Sequence, residues 1–288
     1  MRVYRVYAAE VVGTFLLVLF GTGAVASAVL TGAHQGLWQV AVVWGFGVTL
    51  AIYATATISG AHLNPAVTLA FAIFRSERFP RTRLLPYWAA QLLGGVLAGL
   101  VVLVTFGPFI ERFEDDRGIV RGEDGSQHSA MVFGEYFPNP DIFGTDGAAR
   151  ELVSPLAAMG VEALGTGILV LMIFALVDRR NGRPAGRMTA LFVGFTVAVL
   201  IALFAPITQA GWNPARDFGP RIVAFFAGWD EIAIPGPRNG FWVYIVGPLI
   251  GGPIGAAIYD YVLRPALPED PERAGGLGNF TAEGRADK

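Results

Sequence analysis

No Asp, Glu, Lys or Arg occurs between Glu10 and Arg75. A helix crosses the hydrocarbon core of a bilayer in about 20 predominantly apolar residues. The stretch therefore has room for two crossings, roughly 11–30 and 37–58, with about ten residues left over after Asn64. Further charge-poor windows lie between Arg83 and Glu111, between Glu151 and Asp178 (broken only by Glu162), between Arg187 and Arg216, and between Arg238 and Asp260. Six membrane spans are expected.

Composition agrees and removes other classes. With 53% hydrophobic and 15% charged residues, and a mean hydropathy of +0.51, the chain is more apolar than an ordinary soluble domain. It has no cysteine and three scattered histidines, which excludes disulfide frameworks and gives no metal-ligand cluster. No cofactor is expected. A net charge of −2 gives no pull toward nucleic acid. No nucleophile with a base stands out either, so an intramembrane enzyme is not expected. Arg2 and Arg5 before an apolar run ending AVASA resemble a secretory signal. The length of the run and its match to a later segment favour a retained first span.

Arginine placement orients the spans. Arg2 and Arg5, then Arg75, Arg78, Arg81 and Arg83, then Arg179, Arg180, Arg183 and Arg187 fall on one side of a six-span arrangement. The other side has an uncharged 31–36 turn and a 107–154 segment rich in acids such as Glu114, Asp115, Asp116, Glu123 and Asp124. Both termini are expected in the cytoplasm, in a plasma (inner) membrane. Residues 264–288, with Pro, Gly and charges but no apolar run, are expected to be a disordered tail.

The chain repeats itself. EVVGTFLLVLFG at 10–21 aligns with EALGTGILVLMI at 162–173, SGAHLNPAV at 59–67 with TQAGWNPAR at 208–216, and QLLGG at 91–95 with PLIGG at 248–252. Each half, about 1–106 and 155–263, holds three spans, an odd number, so the second copy enters the membrane from the opposite side. Inverted repeats of this kind place a site near the midplane, made by broken helices. Proline suits the first turn of a helix and a polar residue before it suits the cap. Asn64-Pro65-Ala66 and Asn213-Pro214-Ala215 are each expected to start a short helix, about 65–74 and 214–225, dipping halfway in. The fold class is all-α integral membrane, six transmembrane helices plus two half-helices. Irregular backbone at that depth is tolerated where it lines a water-filled cavity.

Two helix N-termini and two asparagine amides facing one conduit would repel cations and interrupt a proton-hopping water chain while passing uncharged, hydrogen-bonding solutes. Glu10 and Glu162 are intramembrane carboxylates related by the repeat, each expected to accept hydrogen bonds from the loop carrying its half's Asn-Pro-Ala. His62 either lines the cytoplasmic vestibule or caps the half-helix; His34 and His128 are read as solvated loop residues. Gly95 and Gly99, with Gly247, Gly251 and Gly255, have the four-residue spacing that lets helices approach closely. A proton-coupled secondary transporter is the alternative class, but only the two glutamates could serve it.

The two Asn-Pro-Ala boxes, the Glu-x-x-Gly-Thr starts of spans one and four, and the Arg after the second box together resemble the aquaporin family over about 1–263. NPARD and the long loop IVRGEDG…YFPNP look like its glycerol facilitator branch. The resemblance implies a homotetramer with one pore per subunit, passing glycerol and water. It gives Asn64 and Asn213 the role of central donors, and Arg216 that of the charged wall of the constriction, with fixed donors for a hydroxyl or water. Trp44 fits the aromatic wall; Asp217 is read as holding loop structure. Two positions depart from that branch. Ile201 stands where it usually has Gly, and Ala210 where it usually has an aromatic. Trp, Ile, Ala, Arg is similar to plant nodulin-26-like channels. Tyr244-Ile245, where facilitators have Pro-Leu, is closer to water-selective members. Urea and metalloid acids are therefore further candidate permeants, and a mainly water-selective pore is the alternative within the family.

Overall fold

A computed structural model describes residues 3–181 and 185–269. Arg2, Arg183 and the expected tail from 270 onward lie outside the described residues. The first half contributes α1 (Val3–Thr31), α2 (Leu37–Ser59), the short α3 (Pro65–Phe74) and α4 (Leu84–Arg117). The second contributes α5 (Pro155–Val177), α6 (Thr189–Thr208), the short α7 (Pro214–Ala224) and α8 (Val243–Ile258). Six helical segments are long and apolar enough to cross a membrane, those containing α1, α2, α4, α5, α6 and α8. Large apolar side chains such as Leu50, Val104, Phe195 and Leu203 are exposed on their outward faces, as surfaces turned to lipid should be.

Packing repeats with the sequence. In the first half α1 lies against α2 and α4; in the second α5 lies against α6 and α8; α2 and α6 join the halves. The Gly-Gly of each half receives the Asn-Pro-Ala helix of the other. A Cβ at Gly95 of α4 would overlap the Ala215 carbonyl of α7, and one at Gly252 of α8 would lie 3.0 Å from the Ala66 carbonyl oxygen of α3. At Gly95 a side chain would force the backbones apart, and at Gly252 it would crowd them.

The chain ends share a face. Val6 and Tyr7 of α1 pack with Ala72 and Phe79 at the far end of α3, and Arg75, which caps α3, grips Asp260 just past α8 at 2.5 and 2.7 Å. Residues 264–269, assigned to the tail in the sequence, begin with a helical turn at Arg264–Ala266. Arg264 is tied to Asp178 at 2.9 Å. This is the terminal face; the opposite, loop face carries residues 118–154.

The acidic segment differs from expectation in two respects. α4 does not stop near 106 but runs to Arg117, because Gly118 in the left-handed region closes it and Glu114 in its last turn is held by Arg121 at 2.7 Å and Ser129 at 2.7 Å. Residues 131–140, far from being a surface loop, are all buried. They fold down into the bundle mouth, where Met131, Val132 and Phe133 join the core around Trp229. His34 and His128 are half-buried rather than solvated.

Candidate functional site

The two short helices start for the reason their sequences suggest. Pro65 and Pro214 occupy the first turn, and the side-chain oxygens of Asn64 and Asn213 accept from Ala66 N at 2.8 Å and Ala215 N at 3.1 Å. Each asparagine caps its own helix, since the first backbone N–H groups have no partner within the helix. The amide nitrogens reach across the repeat: Asn64 Nδ2 donates to Trp212 O at 2.9 Å and Asn213 Nδ2 to Leu63 O at 2.8 Å. The helix N-termini therefore meet head to head, with α3 leading to the terminal face and α7 to the loop face.

The chain entering each short helix is forced into left-handed backbone at matching offsets. Gly60, Ala61 and Leu63 have φ of 89°, 49° and 52°; Gln209, Ala210 and Trp212 have φ of 59°, 71° and 48°. For residues with a Cβ this region costs roughly 1–2 kcal/mol each, so it needs an external hold. Glu10 and Glu162, both fully buried, provide it. Glu10 accepts from Ser59 Oγ at 2.6 Å, His62 N at 3.0 Å, Leu63 N at 2.8 Å and Gln91 Nε2 at 2.8 Å. Glu162 accepts from Thr208 Oγ1 at 2.7 Å, Gly211 N at 3.1 Å and Trp212 N at 2.6 Å. The N–H groups of each entering segment are thus turned toward its buried carboxylate.

Two cavities lie in line along the bundle axis. One, toward the terminal face, is bordered by His62, Asn64, Asn213, Val48, Val197 and Ala210; the other opens at the loop face beside His34, Met131, Asn139, Asp141 and Gln209. The residues common to both walls are Trp44, Ile201 and Arg216, which therefore form the constriction between them. Ala210 borders only the first cavity, on the asparagine side of that constriction. His62 is a wall residue and not the cap, its ring packed among Phe71, Phe79 and Tyr87 with centroids 4.7, 4.7 and 5.2 Å away.

Arg216 lies across the opening, its guanidinium carbon 4.4 Å from the Trp44 ring centroid. Its Nη2 forms an ion pair with Glu135 Oε1; Nη1 and that Oε1 are buried and have no hydrogen-bond partner among the described residues. Glu135 was not foreseen from the sequence. Its backbone is fastened at both ends: Glu135 N donates to Asp217 Oδ1 at 2.7 Å, its carbonyl accepts from Arg221 Nη2, and Arg221 Nε donates to Asp217 Oδ2 at 2.7 Å. The next residue, Tyr136, donates from N to Gln209 Oε1 at 2.7 Å. Asp217 thus touches the loop and not the lumen. The available signal was a single charged residue inside MVFGEYFPNP, an apolar run at odds with the acidic segment around it.

Comparison with known proteins places this geometry in company. A family model described as major intrinsic protein matches residues 1–259. The chain is 41% identical over 262 residues to the propanediol uptake facilitator PduF of Citrobacter freundii, covering 90% of this chain and 92% of that one. It is 39% identical over 264 residues to the glycerol uptake facilitator protein of Escherichia coli strain K12, covering 91% and 89%. Among solved structures, the aquaglyceroporin from Plasmodium falciparum matches with a TM-score of 0.75 at 26% identity, over 91% of this chain and 97% of that one.

Proposed function

The chain belongs to the major intrinsic protein family, and on that premise we propose that it is a passive channel whose permeants are glycerol and water. The observation that carries this reading is the constriction itself. Arg216 brings a guanidinium to one side of a gap whose other walls are the largely apolar Trp44 indole and the Ile201 side chain. A polyol has hydroxyls for the first wall and a carbon chain for the others, and water needs only the donor. The relatives named for glycerol and for propanediol uptake support the same solute class.

The opposed α3 and α7 N-termini place two partial positive charges and two asparagine amides midway along the conduit, which disfavours cations and a continuous proton wire. Glu10 and Glu162 have their oxygens occupied by loop donors, which favours a supporting role for them over proton coupling. The arrangement we infer is a homotetramer with one pore per subunit in the inner membrane, the terminal face in the cytoplasm. The clustering of Arg75, Arg78, Arg81 and Arg83 near that face supports the orientation.

Stopped-flow light scattering on proteoliposomes tests the proposal with water, glycerol, propanediol and urea on one preparation. Glycerol flux should be linear in its gradient and indifferent to an imposed proton gradient, with no proton current. Glycerol and water fluxes at the level of empty liposomes would overturn it.

A further inference from the structure

Glu135 stands 1% exposed and Arg216 4% exposed, in contact, Arg216 in the constriction and Glu135 in the wall of the loop-face cavity beside it. A bare guanidinium there would give the constriction a charge of +1. We propose that Glu135 is a further selectivity-determining residue: its carboxylate occupies Arg216 Nη2 and cancels its charge, so the pair, and not Arg216 alone, sets which ions the constriction admits. The inference rests on the channel reading.

Three observations make the pairing a built feature. The Glu135 side chain is aimed by backbone bonds at both its N–H and its carbonyl, through Asp217 and Arg221. Those two residues belong to α7, as does Arg216, so the helix that carries the guanidinium also fastens the loop that carries its counter-charge. The adjoining Tyr136 N is fixed by Gln209, which precedes Ala210 in the entry to the second Asn-Pro-Ala box. A carboxylate brought so close in low dielectric cancels most of the guanidinium's field over the lumen. The two charges meet directly, Nη2 against Oε1, with both side chains buried.

The two single changes should act in opposite directions. Glu135→Gln keeps size and leaves +1, which lowers the barrier to anions; Arg216→Gln leaves a buried −1, which lowers it to cations; the double variant leaves neither charge. Proteoliposomes at about pH 9.5, where the carboxyl is ionised, would be loaded for nitrate flux and for flux of guanidinium, a cation the size of urea. Nitrate flux should rise several-fold in Glu135→Gln and guanidinium flux several-fold in Arg216→Gln. Both should return to the wild-type level in the double variant. Equal nitrate flux in wild type and Glu135→Gln, or equal guanidinium flux in Arg216→Gln and the double variant, overturns the inference. If Arg216→Gln yields no monodisperse protein, the nearly isosteric Glu135→Gln decides alone. Water and glycerol fluxes in the same wild-type vesicles separate the outcomes: their absence defeats the channel reading, whereas normal neutral flux with unchanged ion flux defeats only the role of Glu135.

Discussion

Asn64 and Asn213 are bonded crosswise, each capping its own short helix with its side-chain oxygen while its amide donates to the carbonyl preceding the other, at Trp212 and Leu63. The join between the halves is therefore made by the same two side chains that present donors at the middle of the conduit. Removing either one loosens a helix start in one half and leaves a buried carbonyl in the other half without its donor.

Asn213→Ala should accordingly destabilise the protein by about 1–3 kcal/mol, from the lost cap and the unsatisfied Leu63 carbonyl. Thermal unfolding in detergent followed by size-exclusion recovery measures this. An unchanged midpoint would mean that the crosswise bond carries no stability.

Glu162→Gln replaces one of two accepting oxygens by an amide that cannot accept from Trp212 N, now bonded at 2.6 Å. A buried N–H without an acceptor costs roughly 1–3 kcal/mol, and this bond is one of those that hold Trp212 left-handed. Flux and thermal midpoint should both fall, and the residual flux should stay indifferent to a proton gradient. Glu10→Gln should act in the same direction through Leu63. A variant that loses a proton dependence present in the wild type would favour a carrier.

The constriction gives a third expectation. Ile201 borders both cavities whereas Ala210 borders only the one beside the asparagines. Ile201→Gly removes the bulk at the narrowest part and should raise permeability to polyols larger than glycerol more than permeability to water. Ala210→Phe narrows the approach just below it and should cut glycerol flux more than water flux. If the two side chains compete for one space, the double variant recovers glycerol flux beyond the product of the single effects. Glycerol-to-water permeability ratios for the singles and the double decide, and multiplicative ratios would place Ala210 outside the space that Ile201 limits.

Much of this was legible because the bilayer permits few solutions. Charge-free runs mark the spans, and the doubled Asn-Pro-Ala marks the short helices down to Pro65 and Pro214, since proline and its cap act locally. The link from Glu10 to His62 and Leu63 could be inferred from the repeat. The descent of residues 131–140 into the bundle mouth could not, because burial of a loop depends on what is anchored across it: Asp217 and Arg221 hold Glu135, and Gln209 holds Tyr136, contacts between residues about eighty apart in sequence. The left-handed backbone at Gln209 was equally hidden, since glycine marks the corresponding position, Gly60, in the first half only.

The last expectation concerns pH. Burial pushes the Glu135 carboxyl up from its ordinary range to about 8; Arg216 and, more weakly, Arg221 pull it down, and the neighbouring Asp217 and Glu162 carboxylates push it further up. The adjoining Tyr136 hydroxyl is pushed up to about 12 by burial and stays neutral across this range. The sign follows directly. Above about pH 8 the carboxylate cancels Arg216, and below it the protonated acid leaves the guanidinium uncompensated. Wild-type nitrate flux should therefore be low at about pH 9.5 and climb as the pH falls through about 8, approaching that of Glu135→Gln, whose own profile should be flat. Glycerol flux, carried by a neutral solute, should change far less over the same interval. A wild-type nitrate profile that is flat while Glu135→Gln stays higher throughout would mean that the carboxyl remains ionised against Arg216 across the whole interval; a wild-type profile that rises with pH would reverse the sign and exclude Glu135 as the titrating group.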